Sequence, residues 1–192
     1  MKVKTDAKIE TFSIGLPGST DLKNALIVAD YLGTNHHEVI VTEEEFFNSI
    51  TKVIKIIESY DTTTVRASVG NYLISKYIAK NSNAKVIFNG DGSDEVTGGY
   101  LYFHKAPNNL LFDFEVKRLL SNIHCFDVLR SDRSISSCGL EPRTPFLDKT
   151  FVNSYLSIPI NYRIENDIEK KILRDSFSGF LPQEILYRKK EA

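Results

Sequence analysis

From Lys8 to Leu16 apolar residues first alternate with polar ones and then run together, a spacing that predicts a β-strand closed by the turn Pro17-Gly18-Ser19. The period then changes. Leu22, Ala25, Leu26, Ala29 and Leu32 fall on one face of a helix over Asp21 to Leu32, and Gly33 stands where such a helix stops. His37 to Val41 reads as a second strand. Thr42 and Glu45 have the spacing of a capping box, and Phe46, Ile50, Val53, Ile54 and Ile57 then share one helical face. A third helix covers about Ser68 to Ala79. Lys85 to Phe88 is a short apolar strand that runs into Asn89-Gly90-Asp91-Gly92-Ser93-Asp94-Glu95. Beyond Gly99 the pattern is mainly helical, with pieces near residues 109–120, 124–131, 149–157 and 166–178. Strand and helix alternate in the first half, which predicts an α/β fold with a parallel sheet flanked by helices. The second half reads as helices added to one side.

Composition narrows the classes without choosing among them. The chain has 192 residues, enough for one domain with its own core, and 42% are hydrophobic. Its 24 Lys and Arg nearly balance 25 Asp and Glu, so charge gives no reason to expect a nucleic acid or an anionic membrane as partner. No apolar run approaches the roughly 18 residues of a spanning helix. The start, Met1-Lys2-Val3-Lys4-Thr5-Asp6, lacks the apolar centre of a signal peptide. Cys125 and Cys138 form neither a CxxC pair nor a disulfide framework, which fits a reducing, cytoplasmic setting. His124 beside Cys125 lacks the spacing of a zinc site, and the two are expected to be unrelated side chains.

The chemistry-bearing segment is the turn after the third strand. A glycine-rich turn between a buried strand and a helix presents backbone N–H groups to a nucleotide, and Gly90 and Gly92 permit close approach. Asp91, Asp94 and Glu95 place three carboxylates within five residues. Such a cluster repels a polyanion unless a divalent cation intervenes, and magnesium binds one or two carboxylates together with phosphate oxygens. The same residues also make an ordinary turn and helix start, with acidic side chains near the positive helix end. The turn alone leaves both readings open.

Longer segments decide between them. NGDGSDEVTGGY (89–100) followed by LYFHKAP resembles a segment of the asparagine synthetases. Further resemblances to that family follow in the family's order: TFSIGLPGSTDLKNA (11–25), LGTNHHE (32–38), DTTTVRAS (61–68), FDVLRSDRSISSCGLEPRTPFLD (126–148), EKKILRDSF (169–177) and LPQEILYRKKE (181–191). The resemblance covers nearly the whole chain. It implies the synthetase domain of a glutamine-dependent asparagine synthetase, with an adenine nucleotide alpha hydrolase-like fold. Such a domain uses ATP and magnesium to convert aspartate to β-aspartyl-AMP, and ammonia, drawn from glutamine in a separate domain, displaces AMP.

The resemblance also implies roles for particular residues. Ile14 corresponds to a position beside the adenine, and Asn89 and Gly90 to a nucleotide-contacting pair. Asp94 corresponds to a magnesium-binding aspartate. Asp91 corresponds to a glutamate tied to acyl-adenylate formation, so its side chain is one methylene shorter than the family's. Thr63, Thr64 and Arg66 correspond to residues that handle aspartate and the intermediate, and Asp127 with Arg130 to a pair bordering the site. Lys190 corresponds to a lysine that neutralises charge on the reacting carboxylate and α-phosphate. These residue types suit the chemistry: a carboxylate attacking a phosphate must overcome like-charge repulsion, and an arginine can grip a carboxylate with two hydrogen bonds. His36, His37 and His104 are expected to make structural hydrogen bonds, and Tyr100, Tyr102 and Phe103 to join the core.

Departures from the family bear on activity. The family opens this domain with a strand and an SGGxDS loop that binds pyrophosphate and supplies a second magnesium-binding aspartate. That motif does not occur in the 192 residues, whose one Gly-Gly is Gly98-Gly99, nor does an N-terminal cysteine glutaminase domain. The chain stops one residue after Glu191, where the family continues. The expectation is therefore a partial synthetase domain, a fragment, a split gene product or a truncated reading frame, inactive alone and active only in a longer chain or with a complementing chain that carries the glutaminase domain and pyrophosphate loop. A non-catalytic remnant that binds nucleotide or a partner remains an alternative, as does an acyl-adenylating relative of the β-lactam synthetase type.

Overall fold

The computed structural model describes residues 9–165 and 168–188. Strand β1, Glu10–Gly15, pairs in parallel with β2, Asn35–Ile40, in the register Glu10↔Asn35 to Gly15↔Ile40. Helix α1, Thr20–Leu32, connects them and buries Leu22 and Ala29. Gly33 ends α1 in the left-handed conformation, φ 62°. The capping box of Thr42 and Glu45 forms in full at the start of α2, Glu43–Ile57.

Helix α3, Thr62–Asn81, begins six residues earlier than the periodicity indicates. Three consecutive threonines favour a loop by local propensity. Asp61 reverses that preference, because its carboxylate accepts the Thr64 N–H at 2.8 Å and caps the helix. Packing supplies the rest: Val65 and Val69 of α3 are buried against Val53 and Ile57 of α2.

Beyond α3, strand β3, Val86–Phe88, pairs in parallel with β4, Glu141–Arg143. Between them lie α4, Ser93–Thr97, α5, Asn109–Asn122, and α6, Asp127–Ser136. Strand β4 is silent in the hydrophobic pattern, being a three-residue stretch with Pro142 at its centre. Its pairing rests on backbone bonds at either end, Glu141 N–H to Lys85 O at 2.7 Å and Asn89 N–H to Arg143 O at 3.0 Å. Helix α6 starts three residues later than the pattern indicates, after a 3-10 turn at Ile123–Cys125. The remaining helices are α7, Lys149–Leu156, α8, Ile160–Arg163, α9, Lys171–Ser176, and α10, Gln183–Leu186. The last long helix in the pattern is thus shorter than its periodicity, because Lys170 adopts a left-handed conformation and starts a new helix.

The expected parallel pairing is present, divided among the described residues into two two-stranded sheets. One layer joins them. Ile78 of α3, Ile135 of α6 and Leu140 form a buried cluster against which Phe12 of β1 and Ile87 of β3 both pack. Phe12 therefore faces α3. Gly15, three residues on and on the opposite face, turns its α-hydrogen side to α1: a Cβ there would lie 3.1 Å from Leu22. Helices α1 and α3 thus cover opposite faces of β1. The carboxyl ends of β1 and β3 are Gly15 and Phe88. A second core, Phe103, Phe112, Val116 and Leu119, holds the helical half together.

Candidate active site

The turn leaving β3 is shaped by its own side chains. Asn89 accepts the Asp91 N–H at 3.2 Å and donates to the Ser131 hydroxyl of α6 at 2.5 Å, which ties the turn to that helix. Gly92 has φ 83°, and a Cβ there would come within 2.4 Å of Leu147. Conformation and packing both demand glycine. Helix α4 then sends Glu95 into the interior, where it is 1% exposed, and leaves Asp94 part-exposed.

Three elements converge on one cleft of about 530 Å³. The turn contributes Gly90 to Glu95; α3 contributes Thr63, Arg66 and Ala67, which recur at helical spacing; α6 contributes Asp127 and Arg130, one turn apart. Tyr100, Leu101 and Tyr102 complete the lining. The cleft thus holds two arginines and four carboxylates.

Its deep wall is a chain of polar contacts. The Tyr100 hydroxyl donates to Glu95, and Arg130 Nη2 pairs with Asp127 Oδ1 at 2.5 Å. Burial is the largest influence on Asp127. With the adjacent Glu95 charge it pushes the Asp127 carboxyl up to about 7, against the opposing pull of Arg130. Burial, then the bond to Glu95, raises the Tyr100 hydroxyl well above its ordinary value, so Tyr100 stays a donor. Two lining residues also meet a side chain from outside the lining: Lys170 Nζ lies 2.9 Å from Asp94 Oδ1 and 3.4 Å from the Ser93 hydroxyl.

Most sequence-derived site residues meet here. Thr63, Arg66, Gly90, Asp91, Asp94, Asp127 and Arg130 line the cleft. Asn89 supports the turn from behind. Thr64 is 3% exposed and belongs to the capped first turn of α3, not to the lining. Ile14 lines a separate apolar depression of about 420 Å³ with Gly15, Leu16, Val41, Phe46 and Gly70. Gly70 lies one helical turn beyond Ala67, so α3 borders both cavities. Lys190 lies outside the described residues. Of the aromatic cluster, Phe103 is core, whereas Tyr102 is 47% exposed and lines the cleft. His36 is bound at both ring nitrogens, to Thr11 at 2.9 Å and Ser13 at 3.0 Å, as expected of a structural histidine. Sequence reasoning missed the structural weight of Glu95 and Tyr100 and gave no role to Lys170, which reaches Asp94 from 76 residues further along the sequence.

Among the described residues no three His, Cys, Asp or Glu side chains are grouped to hold a metal ion. A single carboxylate such as Asp94 is nonetheless the kind of donor magnesium accepts when phosphates supply the rest of its shell. The cleft therefore fits a magnesium ion that arrives with phosphates, and does not form a cage that would hold one alone.

A family model described as "Asparagine synthase" matches residues 1–122 and 112–192. The chain is 54% identical over 187 residues to the glutamine-hydrolysing asparagine synthetase of Rattus norvegicus, covering 96% of this chain and 33% of that protein. It is 52% identical over the same length to the proteins of that name from Homo sapiens and Gallus gallus. The chain therefore spans about a third of the length of these curated relatives.

Proposed function

Because the chain belongs to the asparagine synthase family, we propose that its cleft is the ATP-using site of an asparagine synthetase. The reaction is activation of aspartate as β-aspartyl-AMP with release of pyrophosphate, followed by displacement of AMP by ammonia derived from glutamine. The fold proposed is the adenine nucleotide alpha hydrolase-like one, and a cytoplasmic setting, read from the usage of Cys125 and Cys138, is proposed with it. For the membrane question, no helix among the described residues is long and apolar enough to cross one.

The observation that carries this reading is the meeting of the 90–95 turn, Arg66 and the Asp127–Arg130 pair in one cleft. The turn lies at the carboxyl end of β3, and in the proposed fold the strand progression would reverse between β1 and β3, a point at which open α/β sheets bind ligands. Adenine is assigned to the apolar depression at Ile14, and the phosphates to the turn. Asp94 would hold magnesium, which supplies positive charge where negative charge gathers on the phosphates. Arg66, on the exposed face of α3, is assigned the grip on a substrate carboxylate. Lys190 is assigned the neutralisation of the reacting carboxylate and α-phosphate. Asp91 stands nearest in role to the acyl-adenylate, with Thr63 beside it. Asp127, with its proton held near neutrality, suits a group that takes a proton from the incoming amine.

An SGGxDS loop, on a longer form of this chain or on a complementing polypeptide, belongs to the same proposal. Strands β1 and β3 each keep an edge that no described strand pairs, and a parallel strand set there would bring its loop to the phosphates. Pyrophosphate release, assayed with each substrate omitted in turn, tests the scheme. The 192-residue chain alone is expected to form no asparagine. Adding a polypeptide with that loop is expected to give aspartate-dependent release. Robust aspartate-dependent release by the chain alone would sink the need for a complementing chain.

A further inference from the structure

The contact between Lys170 and Asp94 is built from two separate parts of the chain, residues 93–99 and Lys170. Lys170 is one of two non-glycine residues with positive φ among those described, at 59°, a conformation that disfavours a side chain and persists when the surroundings enforce it. From there its ammonium reaches Asp94 at 2.9 Å and Ser93 at 3.4 Å. The two charged side chains are mostly shielded, 21% and 26% exposed. Gly99 closes the side of the pair: a Cβ there would lie 2.1 Å from Asp94 Oδ1 and 2.4 Å from Lys170 Cε. Gly99 needs no positive φ, so what its missing side chain provides is room for this pair.

The placement has a chemical consequence for any cation. Asp94 is the carboxylate assigned above to the metal, and an ammonium already stands against one of its oxygens. A divalent ion approaching alone meets a like charge at short range in a partly desolvated setting, where repulsion is strong. A polyphosphate arriving with the ion changes the balance, because it offers the ammonium oxygen acceptors in exchange. Lysine is suited to such a move, being a compact charge on a flexible stem.

We propose that Lys170 is a built-in counter-cation that pairs with Asp94 whenever no polyphosphate is bound, so that a divalent cation gains Asp94 only together with a polyphosphate that draws the ammonium away. The inference rests on the nucleotide reading for the identity of the polyphosphate. Its consequence is that metal and nucleotide enter as one unit and that free metal is excluded.

The test uses the full chain and manganese(II), followed by electron paramagnetic resonance without nucleotide. Lys170→Met is expected to bind manganese about tenfold more tightly than wild type, since the competing ion pair is gone. Adding Asp94→Asn to that variant is expected to abolish the gain. With a non-hydrolysable ATP analogue and magnesium, the same Lys170→Met is expected to bind more weakly than wild type. A lysine that merely pinned α9 would lower both affinities. Lys170→Gln keeps a hydrogen bond without the charge and should show the same gain in manganese binding. In wild-type protein, the Lys170 side-chain resonances are expected to move with the magnesium–analogue complex and to stay unmoved by magnesium alone. No gain in manganese affinity, a gain that survives Asp94→Asn, or a Lys170 shift with magnesium alone would each overturn the proposal. The metal-only arm contains no nucleotide, so it fails or succeeds separately from the nucleotide reading.

Discussion

Asp94→Asn is expected to weaken binding of magnesium–ATP by about tenfold to a hundredfold while leaving metal-free ATP bound no worse than before. The amide keeps the shape of the carboxylate and removes the charge that magnesium requires of its protein ligand. Loss of one such contact at about 1.4 kcal/mol per factor of ten accounts for the size. The second half of the expectation follows from Lys170, whose ammonium lies 2.9 Å from Asp94. Once that carboxylate becomes an amide, the ammonium is less strongly held and remains available to an anion. Folding is expected to suffer little, because a partly exposed ion pair contributes about 1 kcal/mol or less. Calorimetric titrations with magnesium and with a chelator separate the two effects. Equal losses under both conditions would remove Asp94 from the metal role and leave it a structural residue.

The second large effect is on stability. Glu95 is 1% exposed and receives the Tyr100 hydroxyl. It also bonds to and charges the surroundings of Asp127. Glu95→Ala is expected to cost about 3 kcal/mol, since it leaves the buried Tyr100 hydroxyl without this acceptor and opens a cavity at the start of α4. Glu95→Gln retains an acceptor and should cost less. The pH dependence distinguishes the two further. Asp127 has its carboxyl raised from 3.8 to about 7 by burial first and Glu95 second. A carboxyl raised on folding binds its proton more tightly in the native state, so its contribution is full below about pH 4 and is lost as the pH climbs through 7. That loss is of the order of 2–4 kcal/mol. Replacing Glu95 by glutamine removes a like charge, lowers the Asp127 value and should flatten the decline between pH 5 and 8. Urea unfolding of wild type and Glu95→Gln across that range measures it, and parallel curves would show that Glu95 does not set the Asp127 proton.

Local chemistry was legible in the sequence where it was strong and continuous. Helices α1 and α2 follow from hydrophobic period and caps, because Leu22, Ala29, Val53 and Ile57 are the residues those helices bury; β1 and β2 fall where strands were expected, with β2 starting two residues earlier, at Asn35. The start of α3 was not, because Thr62, Thr63 and Thr64 oppose a helix until the Asp61 cap and the α2 contact outweigh propensity. Strand β4 carries no apolar alternation at all; backbone pairing with β3 alone makes Glu141–Arg143 a strand. For the cleft, the 90–95 turn, Arg66, Asp127 and Arg130 were visible through extended resemblance, not through periodicity. The dual role of Glu95 was hidden because a glutamate at a helix start is ordinarily a solvated cap. Lys170 was hidden for a different reason: its partner is remote in sequence, and no local spacing records a contact over that distance.

The account depends on magnesium–ATP seating at the 90–95 turn with its adenine toward the end of β1, and amide chemical shifts of the labelled 192-residue chain test this directly. Titration with magnesium–ATP is expected to move the resonances of Gly90 to Glu95, of Thr63 to Ala67, of Asp127 to Arg130 and of Ile14 to Leu16, and to leave unchanged a separate depression between α2 and α3 that Lys52, Lys76 and Lys80 help to line. Shifts confined to that depression or spread along α5, with the 90–95 turn unmoved at saturating nucleotide, would contradict it.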